Sequence, residues 1–276
     1  MRRILSVLCC ALICLALALP ASAASLDAFK GLSGTLDIAG GTAHIPVMTA
    51  AAKKIMEANP KIAITVAGGG SGVGVQKAGE GLVQIGNTGR ALSEDEVAKY
   101  GLKSFPFAID GVAVAVNPAN PVSGLTAAQV RDIYAGKITN WKAVGGKDAG
   151  ITLYTRDEAS GTREVFWKKL LKKGDIAAAA NVVASNGAMK VAIAQDPNAI
   201  GYVGIGFIDA TIKAPALDGV APSQQSAADG SYPVVRKLFM NTKGEPAGLT
   251  KAFIDFILAP ENADLITAAG YIPLAK

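Results

Sequence analysis

Strand-like and helix-like patterns alternate along most of this 276-residue chain. Short apolar runs predict strands at residues 35–39, 62–67, 82–86, 105–116, 199–208 and 234–240. Helical spacing and capping residues predict helices at 46–59, from 75 to 80, and at 93–100, 126–134 and 249–258. This alternation is typical of an open α/β sheet, in which ligands bind at the carboxyl ends of the strands. We therefore predict an α/β fold.

One junction between strand and helix carries an unusual set of polar residues. The apolar run 151–154 predicts a strand end, and the residues after 163 have helical spacing. Between them, Ser160 and Thr162 lie at the predicted helix start, where free backbone N–H groups favour an anion. Arg156 can bind a tetrahedral oxyanion through two parallel hydrogen bonds. The alternative is an ordinary capped helix with a surface arginine.

Two further junctions repeat this plan. Gly40-Gly41-Thr42-Ala43 and Gly68-Gly69-Gly70-Ser71 each place glycines and a hydroxyl between a strand and a helix. Neither loop is a nucleotide P-loop, because no Gly-Lys-Ser/Thr sequence follows, and neither fits the dinucleotide pattern. A small desolvated oxyanion needs many fixed donors, and three such junctions together supply them.

Residues 1–23 have the features of a cleaved secretory leader. Two arginines precede an apolar run from residue 4 to residue 19, and Ala21-Ser22-Ala23 forms an Ala-x-Ala cleavage site. We therefore expect a periplasmic protein that begins near Ala24. All three cysteines lie in the leader, so the remaining chain has no disulfide or thiolate chemistry.

Charge and composition exclude several classes of function. The formal net charge of +5 falls to +3 when the two leader arginines are removed, 5 − 2 = 3. This charge suits an anionic small molecule and is too weak and scattered for nucleic acid. His44 is the only histidine, so a two-histidine metal site is excluded, and no Ser-His-Asp triad can be assigned. We expect no metal, no cofactor and no catalytic residue.

Five segments resemble the periplasmic phosphate-binding proteins of ABC transporters. The most specific is Arg-Asp-Glu-Ala-Ser-Gly-Thr at 156–162, and the others, in the family's order and spacing, are 40–43, 70–72, 185–188 and 199–203. The resemblance covers nearly the whole chain after the leader. It implies a two-lobed, type II periplasmic-binding-protein fold with a hinge and a ligand cleft between the lobes. It also implies phosphate as ligand, a membrane ABC permease as partner, and a monomer that performs no chemistry.

The resemblance further implies lobe boundaries and binding residues. The first lobe would comprise 24–110 and 207–276 and the second 111–206, with crossings near 110–112 and 202–206. The phosphate-binding residues would be Thr42 (hydroxyl and N–H), Ala43 (N–H), Ser71 (hydroxyl), Arg156 (guanidinium), Ser160 and Thr162 (hydroxyl and N–H) and Gly161 (N–H).

One position departs from the family. Gly89 stands where well-studied members have an aspartate that accepts the proton of hydrogen phosphate and repels unprotonated anions. Asp110 is a possible replacement acceptor, and Asp157 and Glu158 are others; Arg90 lies beside the departure. Other tetrahedral oxyanions, sulfate or arsenate, are therefore alternative ligands. A secreted phosphate-ester hydrolase and a structural surface protein are the more distant alternatives.

Overall fold

The computed structural model describes residues 25–274, so the predicted leader lies outside the described residues. The strands are β1 (Gly34–Gly40), β2 (Ile62–Gly69), β3 (Ile85–Thr88), β4 (Leu102–Val116), β5 (Gly124–Leu125), β6 (Thr152–Arg156), β7 (Asn181–Val183), β8 (Ala199–Gly204), β9 (Ala216–Leu217), β10 (Val235–Lys243) and β11 (Ile272–Pro273). The α-helices are α1 (Ile45–Ala58), α2 (Ser71–Gly79), α3 (Glu94–Tyr100), α4 (Ala127–Tyr134), α5 (Gly161–Lys169), α6 (Asn186–Gln195), α7 (Gln224–Ala228), α8 (Gly248–Leu258) and α9 (Ala263–Ala268).

One nine-stranded sheet runs through the protein in the order β2-β1-β3-β10-β4-β8-β6-β7, with β11 added beside β4. The strands β1, β2 and β3 are parallel, β10 is antiparallel to β3 and to β4, and β6 is parallel to β7 and β8. Helices connect the parallel strands, as βαβ units require. The mixed α/β architecture agrees with the sequence prediction.

The long strand β4 belongs to two parts of the sheet. Its residues 102–111 pair with β10, whereas Val112 to Val116 pair with β8. The partner therefore changes between Gly111 and Val112. This change of partner divides the fold into two lobes that share one continuous strand.

Each lobe has its own apolar core. In the first lobe, α1 and α8 pack against β1 and β10 around side chains such as Leu36 and Phe253. In the second, α4 and α5 pack against β4 and β8 around Phe166 and Tyr202, whose rings stack at a centroid distance of 4.1 Å. The two cores account for the two-lobed fold, because each is closed by helices of its own lobe.

The packing differs from the predicted second boundary at residue 207. Leu217, Tyr232 and Val234 belong to the core of the second lobe, and β9 pairs with β5 there. The segment 212–234 therefore packs with the second lobe, and the chain returns to the first lobe only at β10. The turn after β8 also touches the first lobe: a Cβ at Gly206 would lie 2.2 Å from the Ala269 carbonyl oxygen.

The helix α2 begins earlier than its sequence predicts. The sequence predicts this helix only from residue 75, but the helix starts at Ser71 and contains three glycines. Close packing explains them, because a Cβ at Gly74 would lie 2.5 Å from the Asn87 carbonyl oxygen of β3. The next strand is also shifted: β3 begins at Ile85, and Leu82, expected in it, is 64% exposed.

Two leucines offer a matched test of this packing. Leu36 in β1 is fully buried, whereas Leu82 is exposed. Leu36→Ala is expected to lower the free energy of unfolding by about 2–5 kcal/mol, because it removes buried methyl groups and leaves a cavity. Leu82→Ala is expected to change it by less than about 0.5 kcal/mol. Urea unfolding measures both, and equal losses would contradict the assigned burial.

Candidate anion-binding site

Three helices begin at the same place between the lobes. The segments that open α1, α2 and α5 follow the carboxyl ends of β1, β2 and β6, and all three line one small pocket. Helix N-termini present free N–H groups and a positive dipole end. The convergence of three of them therefore favours an anion.

The pocket is small: the space open to the centre of a water-sized sphere is about 10 Å³, far below the roughly 300 Å³ at which pockets for drug-sized ligands begin. It therefore suits a small ion. All seven residues predicted as phosphate ligands line it. The lining residues are Gly41, Thr42, Ala43, His44, Gly70, Ser71, Gly89, Arg156, Ser160, Gly161, Thr162 and Arg236.

Arg156 is a buried cation without a carboxylate partner among the described residues, and only 1% of its surface is exposed. Its Nε and Nη2 donate to the carbonyl oxygens of Val183 and Ala184 at 2.9 and 3.0 Å, and its Nη1 has no partner. Burial lowers the pKa of the guanidinium because charge is disfavoured away from water. An oxyanion in the pocket would supply both the missing acceptor and the counter-charge.

The two threonine hydroxyls of the pocket accept hydrogen bonds from fixed N–H groups. Thr42 Oγ1 accepts from the backbone N–H and the side-chain Nδ2 of Asn186 at 3.2 and 3.0 Å. Thr162 Oγ1 accepts from Arg236 Nη1 at 2.9 Å and from Asn186 Nδ2 at 3.4 Å. Because a hydroxyl has two lone pairs and one hydrogen, both groups keep only the hydrogen to offer.

The two serine hydroxyls are held in a similar way. Ser71 Oγ accepts from the Gly89 N–H at 3.0 Å, and Ser160 Oγ, at the N-cap of α5, accepts from the Arg163 N–H at 3.2 Å. Each keeps its hydrogen and one lone pair. Capping by Ser160 also fixes the first turn of the helix, whose N–H groups face the pocket.

Arg236 is a site residue that our sequence analysis missed. It lies in β10, is 7% exposed, and lines the pocket. The sequence does contain a sign of this role. Leu238 and Met240 alternate with Arg236 on the same face of the strand and are core residues, so the arginine is a cation on a buried face. Charged side chains are almost never buried without a partner. A charged residue at this position therefore indicates an ion pair or a ligand site.

Asp110 is the partner of Arg236, and this corrects its predicted role as the acceptor for the ligand. Its Oδ2 accepts from Nε and Nη2 of Arg236 at 2.9 and 2.7 Å, and its Oδ1 accepts from the Ile205 N–H at 3.1 Å. The carboxylate does not line the pocket. Burial raises its pKa, and Arg236 opposes that shift. Both oxygens thus accept hydrogen bonds from protein donors.

At position 89, where the chain departs from the family, the guanidinium of Arg236 occupies the space that a side chain would need. A Cβ on Gly89 would lie 2.6 Å from Arg236 Nη1. The neighbouring Arg90 does not line the pocket; it donates two hydrogen bonds to Glu96 and forms an ion pair with Glu164 at 2.6 Å. Asp157 and Glu158, the other predicted acceptors, also lie outside the lining. No carboxylate among residues 25–274 lines this pocket.

His44 lines the pocket and is fully buried. Its Nδ1 lies 3.1 Å from the Gly41 carbonyl oxygen, and its ring packs edge-on against Phe107. Burial, reinforced by Arg236, lowers its pKa to about 3. The imidazole is therefore neutral at physiological pH and contributes packing rather than charge.

The pocket lies where the lobes touch. The Gly72 N–H of the first lobe donates to the Ala159 carbonyl oxygen of the second at 3.0 Å. A Cβ on Gly70, whose φ is +89°, would lie 2.6 Å from that same oxygen. The bonds from Asn186 to Thr42 and the ion pair between Arg90 and Glu164 also join the lobes. The anion site is thus assembled from both.

No helix within residues 25–274 is long and apolar enough to cross a membrane. The same residues contain no group of three or more His, Cys, Asp or Glu side chains that could hold a metal ion.

Known proteins are similar to this chain in sequence. The profile of the PBP superfamily domain matches residues 29–261. The phosphate-binding protein PstS of Bacillus subtilis (strain 168) is 39% identical over 254 residues, which cover 90% of this chain and 84% of that protein. PstS of Pseudomonas aeruginosa (strain PAO1) is 30% identical over 275 residues, with 89% and 84% coverage.

Solved structures agree. A Clostridium perfringens protein assigned as a phosphate ABC transporter substrate-binding protein, solved with bound phosphate, is 34% identical, superimposes with a TM-score of 0.82, and is matched over 88% of this chain and 100% of its own. An ABC-type phosphate transport receptor from Vibrio cholerae is 36% identical, with a TM-score of 0.69 and coverage of 86% and 99%.

Fold and site define a two-lobed binding protein with an anion pocket between its lobes. The chain belongs to the phosphate-binding proteins of ABC transporters, within the PBP superfamily.

The buried pair of Arg236 and Asp110 yields a stability prediction. Arg236→Met leaves the Asp110 carboxylate buried with a single N–H partner, so the free energy of unfolding is expected to fall by about 3–5 kcal/mol. The double variant Arg236→Met/Asp110→Leu is expected to recover much of that loss, because a buried ion pair is often replaceable by apolar side chains.

The neighbouring Lys237 is exposed on the opposite face of β10 and serves as the control. Lys237→Met is expected to change the free energy of unfolding by less than about 0.5 kcal/mol in urea titrations. A loss below about 1 kcal/mol in Arg236→Met would contradict a buried, desolvated pair.

Proposed function

We propose that this protein captures inorganic phosphate in the interlobe pocket and delivers it to a membrane ABC permease. The observation that carries the proposal is the unpartnered Nη1 of the buried Arg156 in a pocket formed by three helix N-termini. A buried cation with no counter-charge is costly unless a ligand supplies one. A small tetrahedral oxyanion matches the guanidinium fork and the surrounding N–H groups.

The proposed phosphate ligands are the seven residues predicted from sequence, with Arg236 added. Arg156 is the charged clamp. The hydroxyls of Thr42, Ser71, Ser160 and Thr162 donate, because each already accepts from the protein. Ala43 and Gly161 offer backbone N–H groups at helix starts. Arg236 adds a second guanidinium whose charge Asp110 largely compensates.

The contacts between lobes support a capture mechanism. An anion bound first to donors of one lobe would draw the other lobe onto itself, since donors from both lobes line the pocket. Closure would then remove water and strengthen every charge-assisted bond. The closed lobes would present a surface to the permease, and the names of the relatives support that partner. We propose that the protein acts in this way as a monomer in the periplasm.

The site favours binding without chemistry. Each of the four pocket hydroxyls is bonded to an N–H donor, so none of these bonds supplies a base that could remove the hydroxyl proton. Nucleophilic catalysis needs such a base beside the nucleophile. Purified protein is therefore expected to show no turnover of a chromogenic phosphate ester, and turnover would favour the hydrolase alternative.

The central test is calorimetric titration of purified protein, stripped of bound anion, with inorganic phosphate. Arg156→Ala is expected to weaken binding by about 2–5 kcal/mol, roughly thirtyfold or more, because it removes the charged partner of a buried anion. Arg131→Ala in α4 is the matched control, since Arg131 lies in the same lobe but outside the pocket.

The outcomes separate clearly. Phosphate binding that is lost in Arg156→Ala and kept in Arg131→Ala supports the proposal. Equal weakening in both variants indicates general destabilisation of the second lobe, and thermal unfolding of each variant would reveal it. Absence of phosphate binding in the unsubstituted protein would refute the proposed function.

A further inference from the structure

One ion pair outside the pocket joins the two lobes. Arg90 lies between β3 and α3 in the first lobe, and Glu164 lies in the first turn of α5 in the second. The Arg90 Nε and the Glu164 Oε2 are 2.6 Å apart. Neither residue lines the pocket. Their bond therefore links the lobes without touching the proposed anion.

The first lobe holds Arg90 in place by itself. Arg90 Nη1 and Nη2 donate to the two carboxylate oxygens of Glu96 at 2.7 and 2.6 Å, and Nη1 also donates to the Ala91 carbonyl oxygen at 3.0 Å. The Ser93 N–H fixes Glu96 in turn, at 2.8 Å, as part of the capping box of α3. The bonds between them raise the pKa of Arg90 and lower the pKa of Glu96. The guanidinium is thus oriented within one lobe, and its Nε is the nitrogen that reaches the other.

Glu164 is held in a matching way by its own helix. Its Oε1 accepts from Lys168 Nζ, one turn further along α5, at 2.6 Å, and its Oε2 faces Arg90. The same helix begins with the pocket residues Gly161 and Thr162. Formation of the ion pair and completion of the pocket therefore require the same approach of α5 to the first lobe.

Partial burial makes this pair stronger than an ordinary surface pair. The side chain of Arg90 is 16% exposed and that of Glu164 is 29% exposed, whereas the pair of Lys53 and Glu57 is 76% and 65% exposed. Exposed pairs contribute little, because water and salt screen them and two mobile side chains must be ordered. Here both partners are ordered beforehand, so less side-chain entropy is lost when the bond forms.

We propose, on the basis of the phosphate site proposed above, that Arg90 and Glu164 form a latch that holds the lobes closed over the bound ion and slows its release. The latch acts on the closed form of the protein and not on the anion. Capture by open lobes does not depend on it, but reopening breaks the bond between Nε and the carboxylate. Arg90 and Glu164 are therefore positioning residues, and their effect is on the dissociation rate constant.

Neutralisation of Glu164 distinguishes a latch from simple attraction by charge. Removal of a negative charge near an anion pocket strengthens anion binding if charge alone matters, whereas loss of a latch weakens it. Glu164→Gln is therefore expected to raise the dissociation rate constant of phosphate by about fivefold to thirtyfold, the range expected for one charge-assisted hydrogen bond. The association rate constant is expected to stay within about twofold.

Three further variants complete the test. Arg90→Gln is expected to resemble Glu164→Gln, and the double variant Arg90→Gln/Glu164→Gln is expected to release phosphate no faster than the faster single variant, because both substitutions remove the same bond. Lys168→Gln is the matched control. Lys168 is 51% exposed and bonds to Glu164 within the second lobe, so its loss is expected to change release by less than about twofold.

The measurements use the purified protein stripped of bound anion. Calorimetry gives the affinity for inorganic phosphate, and a chase of bound radiolabelled phosphate with unlabelled phosphate gives the dissociation rate constant. The association rate constant follows from the two. Thermal unfolding of each anion-free variant shows whether the fold is kept.

The possible results are distinct. Faster release in Glu164→Gln and Arg90→Gln, with unchanged release in Lys168→Gln, supports the latch. Unchanged or tighter phosphate binding by Glu164→Gln overturns it, as does a loss confined to the association rate constant. A loss that accompanies a lower unfolding temperature of Glu164→Gln, and that Arg90→Gln does not share, also overturns it. Each of these results leaves phosphate capture intact, whereas absence of phosphate binding by the unsubstituted protein refutes the proposed function and this inference with it.

Discussion

The guanidinium of Arg156 is the constraint on which the arrangement between the lobes depends. It lies at the end of β6 and is held by two carbonyl oxygens of the segment before α6. A hydroxyl of Tyr202 accepts from its backbone N–H, and that ring stacks on Phe166 of α5. The core of the second lobe therefore fixes a cation beside the N-termini of three helices. A buried charge fixed in this way favours an anion, and the proposed phosphate would meet donors from both lobes that line the pocket.

Arg236 and Asp110 connect this pocket to the crossing between the lobes. Asp110 lies in β4 one residue before the last pair with β10, and Arg236 lies one residue after β10 begins. The Ile205 N–H, just after β8, completes the cluster. Three chain segments at the junction of the lobes thus meet at one ion pair. The guanidinium nitrogen that is not bonded to Asp110 donates to Thr162. Movement at the junction would alter the pocket directly, because the same guanidinium takes part in both.

The seven predicted binding residues all line one pocket, whereas some elements around it begin at other residues than the sequence predicts. Thr42, Ser71 and Ser160 were recognisable because hydroxyls and glycines at strand-to-helix junctions have a local physical meaning. Arg236 was not, because its role depends on Asp110, which is 126 positions away along the chain. The start of α2 was hidden because glycine disfavours helices, and only contact with β3 explains its presence. The packing of residues 212–234 with the core of the second lobe could not be read from the sequence, because tertiary contacts rather than local pattern determine it.

Gly70 sets how completely the two lobes meet. Its α-carbon lies against the carbonyl group of Ala159, so a methyl group in that position would overlap the oxygen. The two lobes would then stop short of their present contact by about the radius of a methyl group. Every hydrogen-bond donor proposed for phosphate would nevertheless remain on the chain. Water would enter such a gap and exchange with the ion. The absence of a side chain at this one position would therefore govern how long the proposed anion stays, separately from how many bonds it makes.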